Sequence, residues 1–143
     1  MSFPQPAPGL VISYAYLWRR EHQAGQQEGR KHRPCVIVLA VQKSESTTQV
    51  TVAPITHTHP HSDRTCLEIP LRVKQALGLD DDRSWVILDE VNQFAWPGYD
   101  LRPIAGKTGE VAYGFLPPRL FDQIRTGILD VILKRRVPIT KRD

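Results

Sequence analysis

Apolar and polar positions along this chain follow mostly the short period of β-strands. Leu10–Trp18 is rich in β-branched and aromatic residues, which favour strands, and Cys35–Val41 is apolar without interruption. Val50–Ile55 and Thr65–Ile69 are two more runs of strand length. Because an uninterrupted apolar run fits a strand that is covered on both faces, we expect Cys35–Val41 at the centre of a sheet. Between the first two strands, residues 19–33 are polar and predict a long loop.

The strand pattern continues after one short helix. Pro70–Leu79 changes to a helical spacing, with proline tolerated at its start and Gly78 as its stop. Ser84–Trp96 predicts one long strand, and Leu101–Ile104 predicts a last short strand. Pro54 has no N–H to donate, so we expect its strand to end at a sheet edge or at a bulge.

The clearest helical pattern lies near the C-terminus. Apolar residues recur there at intervals of three or four positions: Leu120, Ile124, Ile128 and Val131. This spacing predicts an amphipathic helix over Leu120–Leu133 that packs one face on the sheet. Short strands and one terminal helix together indicate a mainly β fold with a C-terminal helix, in which the strands form a compact barrel.

The length of 143 residues fits a single domain spanning residues 1–143. Residues 1–8 are rich in proline and predict an extended lead-in, and residues 137–143 predict a basic tail. The N-terminus lacks the charged and apolar regions of a signal peptide, and no apolar run approaches the ~20 residues of a membrane span. Because the two cysteines form no C-x-x-C motif, we expect reduced thiols in a cytoplasmic protein.

Basic residues exceed acidic ones modestly, 19 against 15, for a net charge of +4. The excess lies in the run Arg30–Arg33 and near the C-terminus, in Lys134–Arg136 and Lys141–Arg142. Such runs permit contacts with the phosphates of a nucleic acid. For the C-terminal runs, a solvated surface is the commoner explanation.

Two polar residues stand at the ends of neighbouring predicted strands. Arg33 ends the basic loop and precedes Pro34, which restricts it toward an extended conformation. Thr56 closes the next strand. If these strands form a hairpin, both side chains share one rim, where a guanidinium and a hydroxyl are able to hold a phosphate. Each residue alone also has an ordinary explanation, a salt bridge for Arg33 and a plain strand end for Thr56.

Asp89 and Glu90 form an acidic pair within the predicted Ser84–Trp96 strand. Side chains alternate along a strand, so we expect the two carboxylates on opposite faces, with at least one of them solvated or paired. In one interpretation, Asp89 accepts a proton or orients Arg33. In the other, each acid forms a salt bridge at the rim.

The order of these motifs resembles that of the PemK/MazF toxin family. Arg-Pro leads into an apolar strand, Pro-Ile-Thr closes the next, an apolar strand with an acid follows, and a helix ends the domain. The resemblance covers nearly the whole chain. It implies an SH3-like β-barrel of the PemK/MazF/CcdB type that forms a homodimer. It also implies a growth-inhibiting toxin of a toxin-antitoxin pair, which cleaves single-stranded RNA through the RNA 2′-hydroxyl, without a metal or other cofactor.

The same resemblance assigns the catalytic positions, and the chemistry of other side chains indicates further candidates. The catalytic positions are Arg33, Thr56 and Asp89. Candidate proton donors and acceptors are His32, His57 and Glu28. Candidate RNA contacts are Arg30, Lys31, Asn92, Gln93 and Trp96. The implied protein partner is an antitoxin whose acidic, disordered tail occupies the RNA groove.

Three alternatives remain open at this point. Many family members carry Arg-Thr where this chain has Asn92-Gln93, which favours a non-catalytic module that binds RNA or protein on the same barrel. His57, His59 and His61 share one face of an extended segment and are able to converge on zinc or copper, although a plain polar turn has the same composition. Inhibition of a topoisomerase occurs among proteins of similar fold, but no motif in this chain indicates it.

Overall fold

The computed structural model describes residues 3–25, 32–134 and 137–142. Within these ranges the chain forms eight strands and three helices. The strands are β1 (Leu10–Tyr14), β2 (Arg33–Gln42), β3 (Thr48–Thr56), β4 (Cys66–Glu68), β5 (Trp85–Ile87), β6 (Val91–Trp96), β7 (Ala112–Phe115) and β8 (Ile139–Lys141). The helices are α1 (Arg19–Gln23), α2 (Leu71–Leu77) and α3 (Pro118–Lys134). No helix in these ranges has the length and apolar character needed to cross a membrane.

The eight strands form one sheet with β2 and β3 at its centre. Its main order is β4-β5-β3-β2-β1-β7, and β6 lies beside β3 with β8 next to it. Neighbours are antiparallel except β6 and β8, which run parallel. In the long β2–β3 hairpin, Cys35 pairs with Pro54 and Gln42 pairs with Thr48. The predicted central place of the Cys35 strand is confirmed.

The pairing path between the strands is open. In the described part of the chain, no strand pairing joins its two ends, β4 and β7. The mainly β fold with a C-terminal helix is confirmed, whereas its closure into an SH3-like barrel stays a prediction.

Strand alternation divides the apolar side chains between two cores, one on each face of the sheet. Cys35 and Val52 lie in the first core, together with Tyr14. Their chain neighbours Val36 and Ala53 lie in the second core, which also takes in the buried faces of α2 and α3. Because both faces are covered, successive positions of β2 and β3 are apolar, and this produces the uninterrupted runs in the sequence.

The C-terminal helix is confirmed, and it packs very closely on the sheet. Leu120, Ile124 and Ile128 are buried in the second core. A Cβ atom added at Gly127 would lie 2.5 Å from Cδ1 of Leu88, so the absence of a side chain allows this approach.

The outer side of α3 borders a broad apolar groove of about 920 Å³, lined also by residues of β2, β6 and β8. Its side chains are unusually open to solvent: Leu133 is 84% exposed, and Leu129, Ile132 and Ile139 are about half exposed. We call this surface the α3 groove.

Two predictions for the first part of the sheet need correction. The predicted loop over residues 19–33 begins with α1, whose start is fixed when the carboxylate of Glu21 accepts the N–H of Trp18 at 3.1 Å. Residues 26–31 of that loop lie outside the described residues. Pro54 is not at a sheet edge but inside β3, where the neighbour changes: pairing with β6 ends at Val52 and pairing with β5 begins at Ile55.

The end of the chain departs further from the prediction. Leu101–Ile104 is not a strand, since only Leu101 forms a bridge, to Tyr14. The strand before α3 is β7, which pairs with β1. The predicted basic tail contains β8, and its Thr140 is buried while Arg142 forms an ion pair with Asp100 at 3.0 Å. Pairing with a distant strand gives this short polar segment a fixed place that its composition does not indicate.

Candidate functional site

Arg33 and Thr56 stand at the same end of two neighbouring central strands. Arg33 begins β2, and Thr56 ends β3, where it pairs with Trp85. The register that pairs Cys35 with Pro54 sets Arg33 opposite Thr56 when it is continued by two residues. Cross-strand neighbours project from the same face with Cβ atoms about 5 Å apart. We call this place, defined by Arg33 and Thr56, the β2–β3 edge.

The Arg33 guanidinium is half-buried and has no hydrogen-bond or ion-pair partner among the described residues. Its Nε is buried without any acceptor. Its Cζ lies 5.1 Å from the ring centroid of Trp18, and Cζ of Arg20 lies at the same 5.1 Å from that ring. Burial lowers the pKa of Arg33 below the usual value of an arginine. A salt bridge therefore does not explain Arg33 within the described chain, and the group is available to an anion.

Thr56 is buried, and its hydroxyl is oriented by the turn that follows β3. Oγ1 accepts a hydrogen bond from the backbone N–H of Thr58 at 3.1 Å. Since a hydroxyl is both donor and acceptor, its proton remains for a ligand at the β2–β3 edge.

A cavity of about 190 Å³ opens beside the β2–β3 edge. It brings together three of the predicted site residues, Arg33, His32 and His57, and both histidines are exposed. Pro34 and Ile55 also line it. Because strand side chains alternate, these two point away from the face that carries the guanidinium. The cavity therefore lies on the α2 side of the sheet, with Arg33 at its rim, and we call it the α2 cavity.

The other wall of the α2 cavity is formed by residues that sequence reasoning did not select. Lys74 of α2 is only 1% exposed, and its ammonium donates to the Asp80 carboxylate and to the backbone carbonyl of Asp82. The hydrogen bond from Lys74 holds the pKa of Asp80 below its usual range. A signal was present in the sequence, because Lys74 lies between Val73 and Leu77 on the buried face of α2, where an apolar residue is the usual choice.

Asp89 does not face Arg33, because both acids of the Asp89-Glu90 pair bind Arg64. Nε and Nη2 of Arg64 donate to Asp89 at 2.7 to 3.1 Å, and Nη2 donates to Glu90 at 3.0 Å. The expectation of opposite faces was wrong, since Leu88–Glu90 connects β5 to β6 and is not part of a strand. We call these three charged residues the Arg64 cluster.

The Arg64 cluster lines a separate cavity of about 390 Å³, and Arg33 is not among the residues of its wall. The second oxygen of Glu90 accepts the hydroxyl proton of Tyr16 at 3.1 Å and the backbone N–H of Arg19 at 3.0 Å. Burial and then the Glu90 carboxylate raise the pKa of Tyr16 well above its usual value. All four carboxylate oxygens accept hydrogen bonds, which is the pattern of a structural cluster.

Asn92 is fully buried, with 0% exposure, and its amide holds the segment that follows β1. Nδ2 donates to the carbonyl of Leu17 at 2.8 Å, while Oδ1 accepts the N–H of Leu17 at 2.9 Å. Nη1 of Arg142 also donates to Oδ1 at 2.9 Å. The predicted contact of Asn92 with RNA is therefore wrong, because the amide is enclosed and bonded inside the fold.

The other predicted RNA contacts are not at the β2–β3 edge either. Gln93 is half-buried beside the α3 groove and donates to Oγ1 of Thr51 at 3.3 Å. Trp96 pairs with Thr48, at the opposite end of β3 from Thr56, and packs partly on the first core. The remaining candidates lie outside the described residues: Glu28, Arg30 and Lys31.

The histidine run His57–His61 is not arranged as a metal site. The ring of His59 packs edge-on against Trp85, with 4.8 Å between centroids, and its Nδ1 lies 3.0 Å from the carbonyl oxygen of Pro60. Across the described ranges, no group of three His, Cys, Asp or Glu side chains is placed to hold a metal ion.

Comparison with known proteins identifies the family. Searches of curated proteins and of solved structures gave no significant match. A family model described as the PemK-like, MazF-like toxin of type II toxin-antitoxin systems matches residues 16–132, a span that includes both residues of the β2–β3 edge and most of α3. The resemblance inferred from the order of the motifs is thereby confirmed, and the chain belongs to the PemK-like, MazF-like toxins of type II toxin-antitoxin systems.

Proposed function

We propose that this toxin is an endoribonuclease that cleaves single-stranded RNA at the β2–β3 edge without a metal ion. The observation that carries the proposal is the half-buried Arg33 guanidinium, whose Nε has no acceptor, at the start of the strand whose neighbour ends at Thr56. A phosphodiester supplies the anionic oxygens that such a group lacks. Members of this family are typically endoribonucleases, which agrees with the chemistry of the edge.

The reaction needs no external nucleophile, because RNA carries a 2′-hydroxyl next to each phosphate. That oxygen attacks the phosphorus, the bond to the 5′-oxygen breaks, and the products carry a 2′,3′-cyclic phosphate and a 5′-hydroxyl. Arg33 and Thr56 donate hydrogen bonds to the non-bridging oxygens as negative charge develops on them. Although burial lowers the pKa of Arg33, a free arginine titrates above ~12. We therefore assign Arg33 charge stabilisation and not proton transfer.

The proton transfers are assigned to His32 and His57, which line the α2 cavity at the end of these strands. One imidazole accepts the proton of the 2′-hydroxyl, and the other donates a proton to the leaving 5′-oxygen. Asp89 has no part in this scheme, because its oxygens are bonded within the Arg64 cluster.

The central test incubates the purified protein with a long RNA in EDTA and maps the fragment ends. We expect fragments with 5′-hydroxyl ends from the wild type and a loss of cleavage of at least a hundredfold in Arg33→Ala, the usual cost of removing one transition-state donor. Arg119→Ala removes an exposed arginine from α3 and serves as the control with unchanged activity. DNA of the same sequence lacks the nucleophile and stays intact. Cleavage that persists in Arg33→Ala contradicts the proposal.

A second test addresses proton transfer. His57→Ala and His32→Ala are expected to remove one limb each from a bell-shaped plot of rate against pH. His61→Ala, in the same exposed segment but outside the wall of the α2 cavity, is the matched control. An unaltered profile in both test variants would exclude the histidines as the proton-transfer groups.

A non-catalytic RNA- or protein-binding module is the second candidate function. The enclosed Asn92 amide favours this candidate. Many family members carry arginine at that position, whereas this chain presents no side chain to RNA there. Tight binding of RNA that stays intact in the EDTA assay supports this module and contradicts the nuclease.

Two partners belong to the proposal. A cognate antitoxin places an acidic, disordered tail along the β2–β3 edge, where its carboxylates take the place of RNA phosphates on Arg33. A second copy of the chain covers the α3 groove, which gives a homodimer.

A further inference from the structure

Lys74 has a property that the proposed cleavage does not use. A lysine ammonium carries three donors, and within the described chain two of them are taken, by the carboxylate of Asp80 and the carbonyl of Asp82. The third has no partner there, although the side chain is only 2% exposed. Lysine is seldom buried to this degree unless its charge is fully paired.

The position of Lys74 in the fold also indicates what its third donor binds. Lys74 lines the α2 cavity together with His57 and Arg33. Most residues of that wall have polar or charged side chains, and none of those described is Trp, Tyr or Phe. Its volume of about 190 Å³ is less than half that of the cavity beside the Arg64 cluster, about 390 Å³. Cations and donors around a small space are suited to a phosphate group.

We propose that the inner part of the α2 cavity is a second phosphate subsite, in which the buried Lys74 binds the RNA phosphate adjacent to the one that is cleaved, while the exposed His32 and His57 at the mouth of the cavity serve the cleaved phosphate. This inference rests on the proposed function, because it concerns the same RNA strand. The Arg33 guanidinium lies on one face of the β2–β3 edge, and the α2 cavity lies on the other, with Arg33 at the rim between them. A strand that crosses this edge places consecutive phosphates on the two sides.

Asp80 is the counter-ion of Lys74 when RNA is absent. Its side chain is 56% exposed, on the turn after α2, so it is free to move into solvent when a phosphate arrives. The phosphate then takes the place of Asp80 on the ammonium, while the Asp82 carbonyl keeps Lys74 in position. Phosphate and Asp80 therefore compete, and removing the Asp80 charge strengthens RNA binding.

The test measures binding of a 2′-O-methyl oligonucleotide, which cannot be cleaved because its nucleophile is blocked. Fluorescence anisotropy gives the affinity from about 50 to about 200 mM KCl, a range over which phosphate contacts are resolved. For Lys74→Met we expect a roughly tenfold loss of affinity at the low end. The slope of log affinity against log salt becomes shallower by about 0.7, the contribution of one phosphate contact on a single strand. Asp80→Asn binds more tightly than the wild type.

The matched control is Lys43→Met, which removes the same charge from an exposed residue just beyond the far end of β2. Equal affinity and slope in Lys74→Met and Lys43→Met overturn the subsite. Weaker binding by Asp80→Asn overturns it too, because a purely structural Lys74–Asp80 pair gives losses in both variants. If Lys74→Met does not fold, the direction of change in Asp80→Asn decides alone.

The same proteins are assayed in parallel for RNA cleavage, so that the two proposals are separated. A Lys74-dependent salt slope without cleavage supports the subsite and contradicts the nuclease. Cleavage by the wild type with an unaltered slope in Lys74→Met contradicts the subsite and leaves the nuclease standing.

Discussion

The polar side chains of this toxin differ in how far the fold already satisfies their donors and acceptors. Every nitrogen and oxygen atom in the side chains of Asn92 and Asp89 forms a hydrogen bond, and these bonds hold separate segments together. Arg33 and Lys74 are shielded from solvent yet keep a donor without a partner in the described chain. Loss of a satisfied buried group lowers stability, whereas loss of an unsatisfied one lowers ligand binding.

Asn92→Ala tests the first part of this distinction. It leaves the N–H and carbonyl of Leu17 and one donor of Arg142 without their partner, so we expect the free energy of unfolding to fall by about 3 kcal/mol. Urea unfolding followed by circular dichroism gives this value. The neighbouring substitution Gln93→Ala is expected to cost under about 1 kcal/mol, since it breaks one longer bond. Equal costs contradict the role assigned to Asn92.

Asp80→Asn tests the ion pair of Lys74 through pH. The folded-state pKa of Asp80 is lowered by the hydrogen bond from Lys74. Its stabilisation is therefore fully present above the ordinary aspartate value of about 3.9 and is lost as the pH falls through the lower folded-state pKa. Below about pH 4 we expect stability to decline less steeply in Asp80→Asn than in the wild type. Asp122→Asn, an exposed acid of α3, is the control, and identical acid limbs in wild type and Asp80→Asn contradict the pairing.

At the scale of the elements, the sequence predicted those strands and helices that have a long apolar pattern. β2, β3 and α3 were evident because each has several buried positions in a regular spacing. β8 was not, since only Thr140 of its three residues is buried and its partner, β6, is far away in sequence. β7 is short and contains Gly114, which weakens the strand pattern.

The candidate site was predictable to the same extent as these elements. Arg33 and Thr56 were selected because a hairpin brings two strand ends together, and the β2–β3 hairpin is present. Asp89 was misplaced because the pattern did not reveal a break between β5 and β6. Lys74 was missed because a lone lysine in a helix is usually solvated, although its place between Val73 and Leu77 put it on the apolar face of α2.

Two adjacent basic residues at the last strand, Lys141 and Arg142, are expected to differ in how much they contribute to stability. Arg142 is 3% exposed in its side chain and pairs with Asp100, while Lys141 is exposed. Arg142→Met leaves a largely buried carboxylate and the Asn92 oxygen without this donor, so we expect a loss of about 3 kcal/mol. Lys141→Met is expected to change stability by less than about 0.5 kcal/mol. Thermal unfolding of both variants checks the difference, and similar melting temperatures contradict a structural role for the C-terminal strand.

At the scale of the whole molecule, two cores cover both faces of the sheet, and the α3 groove is the large apolar surface left open in the described chain. Monomeric proteins rarely expose a continuous apolar patch of this kind. The exposed side of α3 carries charges of both signs: Asp122, Arg125 and Asp130. Two copies related by a twofold axis bury the same apolar patch against each other, as an isologous interface requires.

Leu133→Asp tests whether a second copy covers this groove. Leu133 is 84% exposed, so a carboxylate there leaves the monomer fold intact and opposes burial in an interface. Sedimentation velocity is expected to show a dimer for the wild type and a monomer for the variant. Leu71→Asp, at an exposed leucine of α2 outside the groove, should stay dimeric. A monomeric wild type at micromolar concentration contradicts the homodimer.

If Arg33 acts in cleavage as proposed, its buried Nε, which has no acceptor, sets activity against the stability of the fold. Methionine has a similar reach and no donor to bury, so Arg33→Met is expected to raise the free energy of unfolding by about 1 kcal/mol while abolishing cleavage.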